Sequence, residues 1–510
     1  MINERPCTRL ASGGRKPPDT TTRSSGGLHP PLAYGMLALA ILVSTSFGFP
    51  PPDALPQPFA ILEKEDTVYP IDLASALKLA GLENPEILIS RQRVVAALAQ
   101  RQYAAAQFLP SLNAGLNYDA HNGPLQQSTG NILTINRDSL YLGAGANAVG
   151  SGTVNIHGLV YNLNASQTIF NFLMTRQQVA ARRFANQAME NEMLRRVASA
   201  YLDLLRMEGL RGLTLLAQAE ATEISQLTAA YAKVKEGRQA DADRAATELD
   251  DRRIDHIEAR ENVAIASARL AELLKLPPTL RLHPVEERLV PLAVVPEPIP
   301  LCELLAIGLM RRPELAERRA VIRQTLLELS AAKALPFSPS AIIGLSGGVF
   351  GGGGNQSPTM PRFGDFDNRN DLDVVLFWTV QNLGVGNAAM IRAAATHTRM
   401  ANLEQIAVLN HVRFEVAQAH VRSQLYYARM LASEKAVTIG RKGFAQDLVR
   451  IKGGVGLPIE LLNSFRLLNE ARASYLDAIV GFNQAQLDLY VALGQPPADV
   501  LARPVPYRDP

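Results

Sequence analysis

The chain has little cysteine and little charge. Two cysteines in 510 residues, Cys7 and Cys302, exclude a disulfide framework. Charged residues are 19% of the chain, low for a soluble coiled coil, and the formal net charge is only +3. The first stretch holds Arg5, Arg9, Arg15, Lys16 and Arg23 against Glu4 and Asp19, five minus two, so the remainder is close to neutral. No basic face of the kind that binds nucleic acid is present. From Ser166 to Gly237 proline is absent, and glycine falls only at Gly209 and Gly212 before the terminal Gly237. Nothing in that stretch breaks a helix, and a helix so long has no place in a compact core.

What fills the stretch is Ala, Leu, Gln, Glu and Arg, all strong helix formers. Apolar residues recur at threes and fours through Val179, Phe184, Val197, Tyr201, Leu204, Leu216, Ile224, Leu227 and Tyr231. At 1.5 Å per residue the run spans about 105 Å. It needs an equally extended partner, and Asp241 to Leu276 supplies one, with Leu249, Val263, Ala266, Leu270 and Leu273 at heptad-like steps. A very long antiparallel hairpin is predicted.

The rest follows in order. Leu32 to Phe49 is an apolar run behind the basic lead, short for a membrane span and suited to a secretory leader, with Ser44, Thr45 and Ser46 as a cleavage region. The competing reading is an uncleaved anchor. Residues 1–48 are read as the leader and 49–70 as a Pro-rich linker. Asp72 caps a helix that ends at Asn84-Pro85-Glu86, where the next helix begins. Past Pro110 the period changes: Leu112, Ala114, Leu116 and Tyr118 alternate with polar or small residues, a strand over 112–120. A polar, glycine-rich stretch runs to about Gly152, and a second strand is predicted over 154–162. Seven prolines between Pro277 and Pro300 make 277–300 a wrapped connector.

Then the order repeats. Arg312-Pro313-Glu314 echoes Asn84-Pro85-Glu86, Pro336 and Pro339 echo Pro110, and Pro496-Pro497 after Leu493 echoes Pro277-Pro278 after Leu276. Strands are predicted over 341–350 and 372–380, followed by a second long hairpin. The two repeats are 71–276 and 301–494, with tips near 237–240 and 453–457 and a tail over 495–510. The fold class is mainly α with a small β part: two long α-hairpins and four strands per chain. Four strands are too few to close a useful barrel, and strand edges cannot lie open in lipid. If the strands cross a membrane, several chains must pool them. Tyr118, Tyr161, Phe350, Phe377 and Trp378 lie near strand ends, as interfacial aromatics do.

The two Pro-Glu helix entries, Leu109-Pro110-Ser111-Leu112, Ala200-Tyr201-Leu202-Asp203-Leu204 and the tip Val455-Gly456-Leu457 resemble the TolC-type outer membrane efflux proteins over roughly Tyr69 to Pro497. The duplicated order is the specific part of the resemblance. It implies a homotrimer with a 12-stranded barrel in the outer membrane of a Gram-negative-type bacterium and a helical tunnel in the periplasm. It implies an exit duct for a tripartite efflux or type I secretion system, joined through a periplasmic adaptor (membrane fusion) protein to an inner-membrane pump, with no enzyme activity and no cofactor or metal. In such proteins the tips meet the adaptor. Gly454, Val455, Gly456 and Leu457 match that pattern, whereas Gly237 and Arg238 keep the glycine without Val-Gly-Leu; the plain alternative for both is a C-cap glycine and a tight turn. Asp241 and Asp243 just past the first tip are candidates for an acidic ring at a pore constriction, against a first turn stabilised by the helix dipole.

Two chemical motifs are discounted. Gly344-Leu345-Ser346-Gly347-Gly348 spells a nucleophile elbow without the helix that should follow. Gly384-Val385-Gly386-Asn387-Ala388-Ala389 imitates a dinucleotide fingerprint, but no parallel strand returns within the unit. His397, His411 and His420 are not at metal-ligand spacing. The competing class is a periplasmic or surface coiled-coil scaffold without a channel.

Overall fold

In a computed structural model, residues 68–146, 156–234, 237–286, 289–296, 299–355 and 366–495 are described. All belong to one unit of the chain. The expected leader 1–48, the linker apart from its last residues, and the tail beyond Gln495 lie outside the described residues.

The elements run β1 (Val68–Ile71), α1 (Leu73–Glu83), α2 (Pro85–Ala106), β2 (Ser111–Leu112), β3 (Ala114–Gln126), β4 (Ile132–Ala146), β5 (Ile156–His157), β6 (Leu159–Asn164), α3 (Ala165–Lys233) and α4 (Gln239–Leu274). There follow β7 (Arg281–Pro284), α5 (Leu301–Arg311), α6 (Pro313–Ala334), β8 (Ser340–Gly354), β9 (Asp367–Phe377), α7 (Val385–Lys452) and α8 (Pro458–Ala492). The helices recur in length: 11, 22, 69 and 36 residues, then 11, 22, 68 and 35. No described helix is long and apolar enough to cross a membrane.

Both long hairpins form, α3 against α4 and α7 against α8. They are joined to each other along α3 and α8. Val197, Tyr201 and Leu204 of α3, Leu270 and Leu274 of α4, and Leu476 and Val480 of α8 share one buried cluster. Near the tips Ala221 and Ile224 pack with Leu461 and Phe465. Ion pairs run along the same seam. Arg195 Nη1 lies 3.3 Å from Asp488, Arg206 Nε 2.7 Å from Asp477, and Arg472 binds Glu220 through two nitrogens at 2.7 and 2.9 Å.

The Pro-Glu helix entries act where the return helices end. Asn84 is buried, accepts from Glu86 N at 2.9 Å as N-cap of α2, and donates Nδ2 to Leu273 O at 3.1 Å. Arg312, the residue before Pro313, donates to Val491 O near the end of α8 and pairs with Glu415. Asn84 thus satisfies a carbonyl that the last turn of α4 leaves over, and Arg312 adds a second donor to Val491 O, which also accepts from Gly494 N at 2.8 Å. The return helices themselves stop at left-handed residues, Lys275 (φ 59°) and Gly494 (φ 81°).

The sheet differs from the sequence reading first in a strand which that reading lacks. The stretch read as a polar, glycine-rich segment contains β4, which pairs with β3 over its whole length around a turn at Gly130 (φ 88°). The predicted strand 154–162 is, among described residues, the two short pieces β5 and β6. The predicted 112–120, 341–350 and 372–380 become longer or shifted strands, and Trp378 falls just past the end of β9. The Pro-rich connector also carries β7, which pairs in parallel with β1.

Asn84→Ala should cost about 1–2 kcal/mol of stability, because both the cap and a buried donor are lost. Asn84→Ser, which keeps the cap acceptor, should lose roughly half as much, measured by thermal unfolding in detergent. Equal losses would show that the cap contributes nothing, and no loss with Ser would show that the bond to Leu273 O contributes nothing.

Candidate functional site

The sheet forms four antiparallel columns. β3, continued from β2, stands first; β4 and then β6 form the second; β8 is third and β9 fourth. Residues opposite one another in register share a face. Leu116, Leu142 and Val349 form one row; Leu159, Leu345 and Leu372 another; Tyr161, Ile343 and Val374 a third. This face is apolar and open, with Leu372 67% and Val374 65% exposed. The other face carries Asn117, Asp119, Arg137, Ser139, Arg369, Asp371 and Asp373. Apolar and polar residues alternate through 116–119 and 371–374, and the strands of 11 to 15 residues are long enough to cross a bilayer. β3 and β9 each pair on one edge only, so the sheet is open at both sides.

The register divides the five predicted interfacial aromatics. Tyr118, opposite Leu140, and Tyr161, opposite Ile343, lie on the apolar face, and Trp378 is exposed beyond β9. Phe350 and Phe377 do not belong with them. Phe350 stands opposite Tyr141 on the polar face with the Arg369 guanidinium 5.4 Å above its ring, and Phe377 stands opposite Ser340 on that same face. Spacing near a strand end could not distinguish the faces; the register does.

The nucleophile-elbow residues do come together with partners. Ser346 Oγ is 3.4 Å from His157 Nδ1, and His157 Nε2 is 3.4 Å from Asp373 Oδ2. Yet Ser346 is 1% exposed, and the His157 ring lies flat over Gly344, where a Cβ would meet it at 2.2 Å. The strand continues straight through Gly347 and Gly348, which pair in the ladder. No strained turn exposes the hydroxyl, so the trio braces adjacent columns. The second glycine motif makes a bend: Asn382, Leu383 and Gly384 all have positive φ between β9 and α7. Asn387 is buried and accepts from Gln381 N at 2.8 Å. Among the described residues no group of three or more His, Cys, Asp or Glu could hold a metal.

At the opposite end the two hairpin tips lie side by side, with Tyr231 donating to Ile451 O at 2.9 Å and Lys452 2.6 Å from Glu223. Gly454 has φ 75°, and Gly456 is held so close to Ile451 that a Cβ would meet its backbone nitrogen at 2.9 Å. The result turns Val455 and Leu457 outward, 78% and 59% exposed. In the first tip Gly237 N donates to Tyr231 O at 3.0 Å, and Arg238 precedes α4 without a capping side chain; Glu236 lies outside the described residues. Asp241 pairs with Arg244 at 3.0 Å inside the first turn of α4, while Asp243 is exposed and accepts from Gln239. These bonds are those of a helix start.

Comparison with protein-family models finds no match, and no curated protein sequence matches either. Solved structures do. The outer-membrane channel OprN superimposes with TM-score 0.69 at 18% identity over 84% of this chain and 90% of its own. The CmeC outer membrane channel of Campylobacter jejuni gives 0.67 at 13%, covering 83% and 85%. The outer membrane protein VceC of Vibrio cholerae gives 0.65 at 14%, covering 83% and 96%. This chain has the TolC-type outer-membrane channel fold. Within it the ion pairs of the α3–α8 seam were not read from sequence, because charges at 195, 206 and 220 look like any solvated helix face until the partner helix is in place.

One of those seam carboxylates titrates abnormally. Burial outweighs the neighbouring Arg195 guanidinium and holds the Asp488 carboxyl above its usual 3.8. The folded chain therefore binds this proton more tightly than the unfolded chain does. The stabilisation is complete below the usual carboxyl value and is lost as pH rises through the raised one. Asp488→Asn removes that dependence. Its melting temperature relative to the natural chain should climb as pH rises from about 4 towards neutrality; parallel pH profiles would contradict the assignment.

Proposed function

We propose that this chain is the outer-membrane exit duct of a tripartite efflux or type I secretion system, a passive homotrimeric channel. The observation that carries the reading is the open sheet with one apolar face, set on two hairpins of about 100 Å. Four columns per chain, pooled from three chains, give a 12-stranded barrel in which β9 of one copy pairs with β3 of the next. The apolar rows then face outer-membrane lipid and the polar face lines the bore. The helices of three copies continue the bore as a periplasmic tunnel. The recurring helix lengths and the two Pro-Glu entries support an origin by duplication of one module. A coiled-coil scaffold without a channel would not need rows such as Leu159, Leu345 and Leu372 turned to solvent.

The tips are the docking ends. Val455 and Leu457, with Gly454 and Gly456 shaping the turn and Gly237 and Arg238 beside them, meet a periplasmic adaptor that links the duct to an inner-membrane pump. Exposed apolar residues at a turn are suited to burial by a partner. Of the two candidate constriction residues, Asp243 keeps an unneutralised charge and is the better candidate for an acidic ring, since Asp241 is matched by Arg244.

Purified from the membrane fraction, the protein should run as a heat-modifiable trimer and conduct ions across a planar lipid bilayer. A water-soluble, non-conducting monomer would refute the proposal. Val455→Asp combined with Leu457→Asp should abolish export in a strain lacking the natural gene while leaving trimers and conductance intact. Undiminished export would move the docking site elsewhere.

A further inference from the structure

Across the four long helices runs a cavity of about 730 Å³, a volume suited to a drug-sized molecule. Its place in the fold is set by what covers the other side. The connector binds α8 through Asn483 and Gln486, which accept from Leu292 N at 2.7 Å and Val295 N at 2.9 Å. β1 holds α3 through Tyr201, whose hydroxyl donates to Ile71 O at 3.3 Å. At 3.6 residues per turn, Asp477 and Gly481 lie roughly opposite Asn483 and Gln486, and Asp203 and Arg206 roughly opposite Tyr201. Those four line the cavity, which therefore opens on the face away from the connector and β1. Most of its charges are already matched. Arg195 and Arg196 are taken up by Glu192, and Arg206 lies 2.7 Å from Asp477 and 4.0 Å from Asp203. Arg269 of α4 and Arg429 of α7 remain, both exposed and neither with an ion-pair partner among the described residues. Glu272, one turn along α4 from Arg269, is an exposed carboxylate in the same position. Tyr426 lies so close on Gly481 that a Cβ there would meet its ring at 2.3 Å, and with Leu273 and Val480 it supplies apolar wall.

We infer that this cavity is a binding station for an aromatic carboxylate, held at its charged end by Arg269 or Arg429 and along its ring by the wall that Tyr426 forms. A guanidinium meets a carboxylate through two parallel N–H donors, a geometry that an unpaired arginine has free. The ring covers Tyr426, Leu273 and Val480, so apolar burial adds to the charge contact. Because both arginines stand in water, added salt weakens the grip. The site lies within one chain. Its place in the bore rests on the duct reading: a connector packed inside a tunnel would fill it, so the connector side is the outside and the cavity faces the passage. Anionic cargo would then pause at this level, two guanidinium groups from each copy facing it.

The test is equilibrium dialysis of the full chain, purified in a non-ionic detergent, against naphthalene dicarboxylate read by its ultraviolet absorbance. A naphthalene carrying two trimethylammonium groups is the control. Saturable uptake of the dianion, and none of the dication, is expected. Arg269→Gln with Arg429→Gln should raise its Kd about tenfold or more, whereas Glu272→Gln, which removes a like charge, should lower it. Arg260→Gln with Arg441→Gln takes the same two charges from outside the cavity lining and should leave the Kd unchanged. Equal losses from the two double variants would overturn the site in favour of diffuse charge attraction. Uptake of both probes alike, or of neither, would overturn it outright. Protein that conducts ions across a bilayer yet takes up no dianion would overturn the station and leave the duct standing. Protein that binds the dianion as expected yet does not conduct would overturn the duct and keep the site.

Discussion

The constraint on which the structure depends is the unpaired backbone at the outer edges of β3 and β9. A peptide N–H or C=O left without a partner costs several kcal/mol in hydrocarbon. The apolar rows that β3, β8 and β9 display are suited to hydrocarbon, yet a sheet with two open edges could not enter it alone. Charged or proline-rich edges are the usual protection for a soluble sheet. β9 has Asp371 and Asp373, but they sit on the polar face, on either side of Leu372 on the apolar one.

The helical half meets a related difficulty differently. Its hairpins are far too long for a compact core, and most of their burial is along lines of contact. The line within the chain combines small residues that admit close approach, such as Gly209 and Ala221, with paired charges. Glu220 and Arg472 are both largely buried and meet through two bonds, an arrangement that fixes register as well as attraction. Removing one partner of such a pair leaves an uncompensated buried charge. Tips and seam are thereby held to one another within one chain.

Much of this was legible in the residues. The absence of proline from 166 to 237, the apolar threes and fours, and the twice-used Pro-Glu entries led directly to two hairpins in order, because each is a local rule with a strong signal. β4 was not legible. Its Ser139-Leu140-Tyr141-Leu142 alternation is brief, Asp138 sits on the apolar side with its oxygen toward Tyr118, and Gly143 and Gly145 interrupt its last residues. Pairing with β3 and β8 decides that strand more than its own propensity does. Phe350 and Phe377 failed for a related reason: a shift of one residue in register exchanges the faces. At the tips, exposure of Val455 and Leu457 follows from a turn that Gly454 and Gly456 make together.

The account stands or falls on whether the free edge of β9 is paired in the assembled protein. Amide hydrogen exchange in detergent measures this directly at the alternate amides of Asp367–Phe377 that point away from β8. They should be protected as strongly as those of β8 in the assembled protein, and lose that protection when the assembly is dissociated. Rapid exchange of those amides in the intact assembly would mean that the edge is open, and that no closed wall exists.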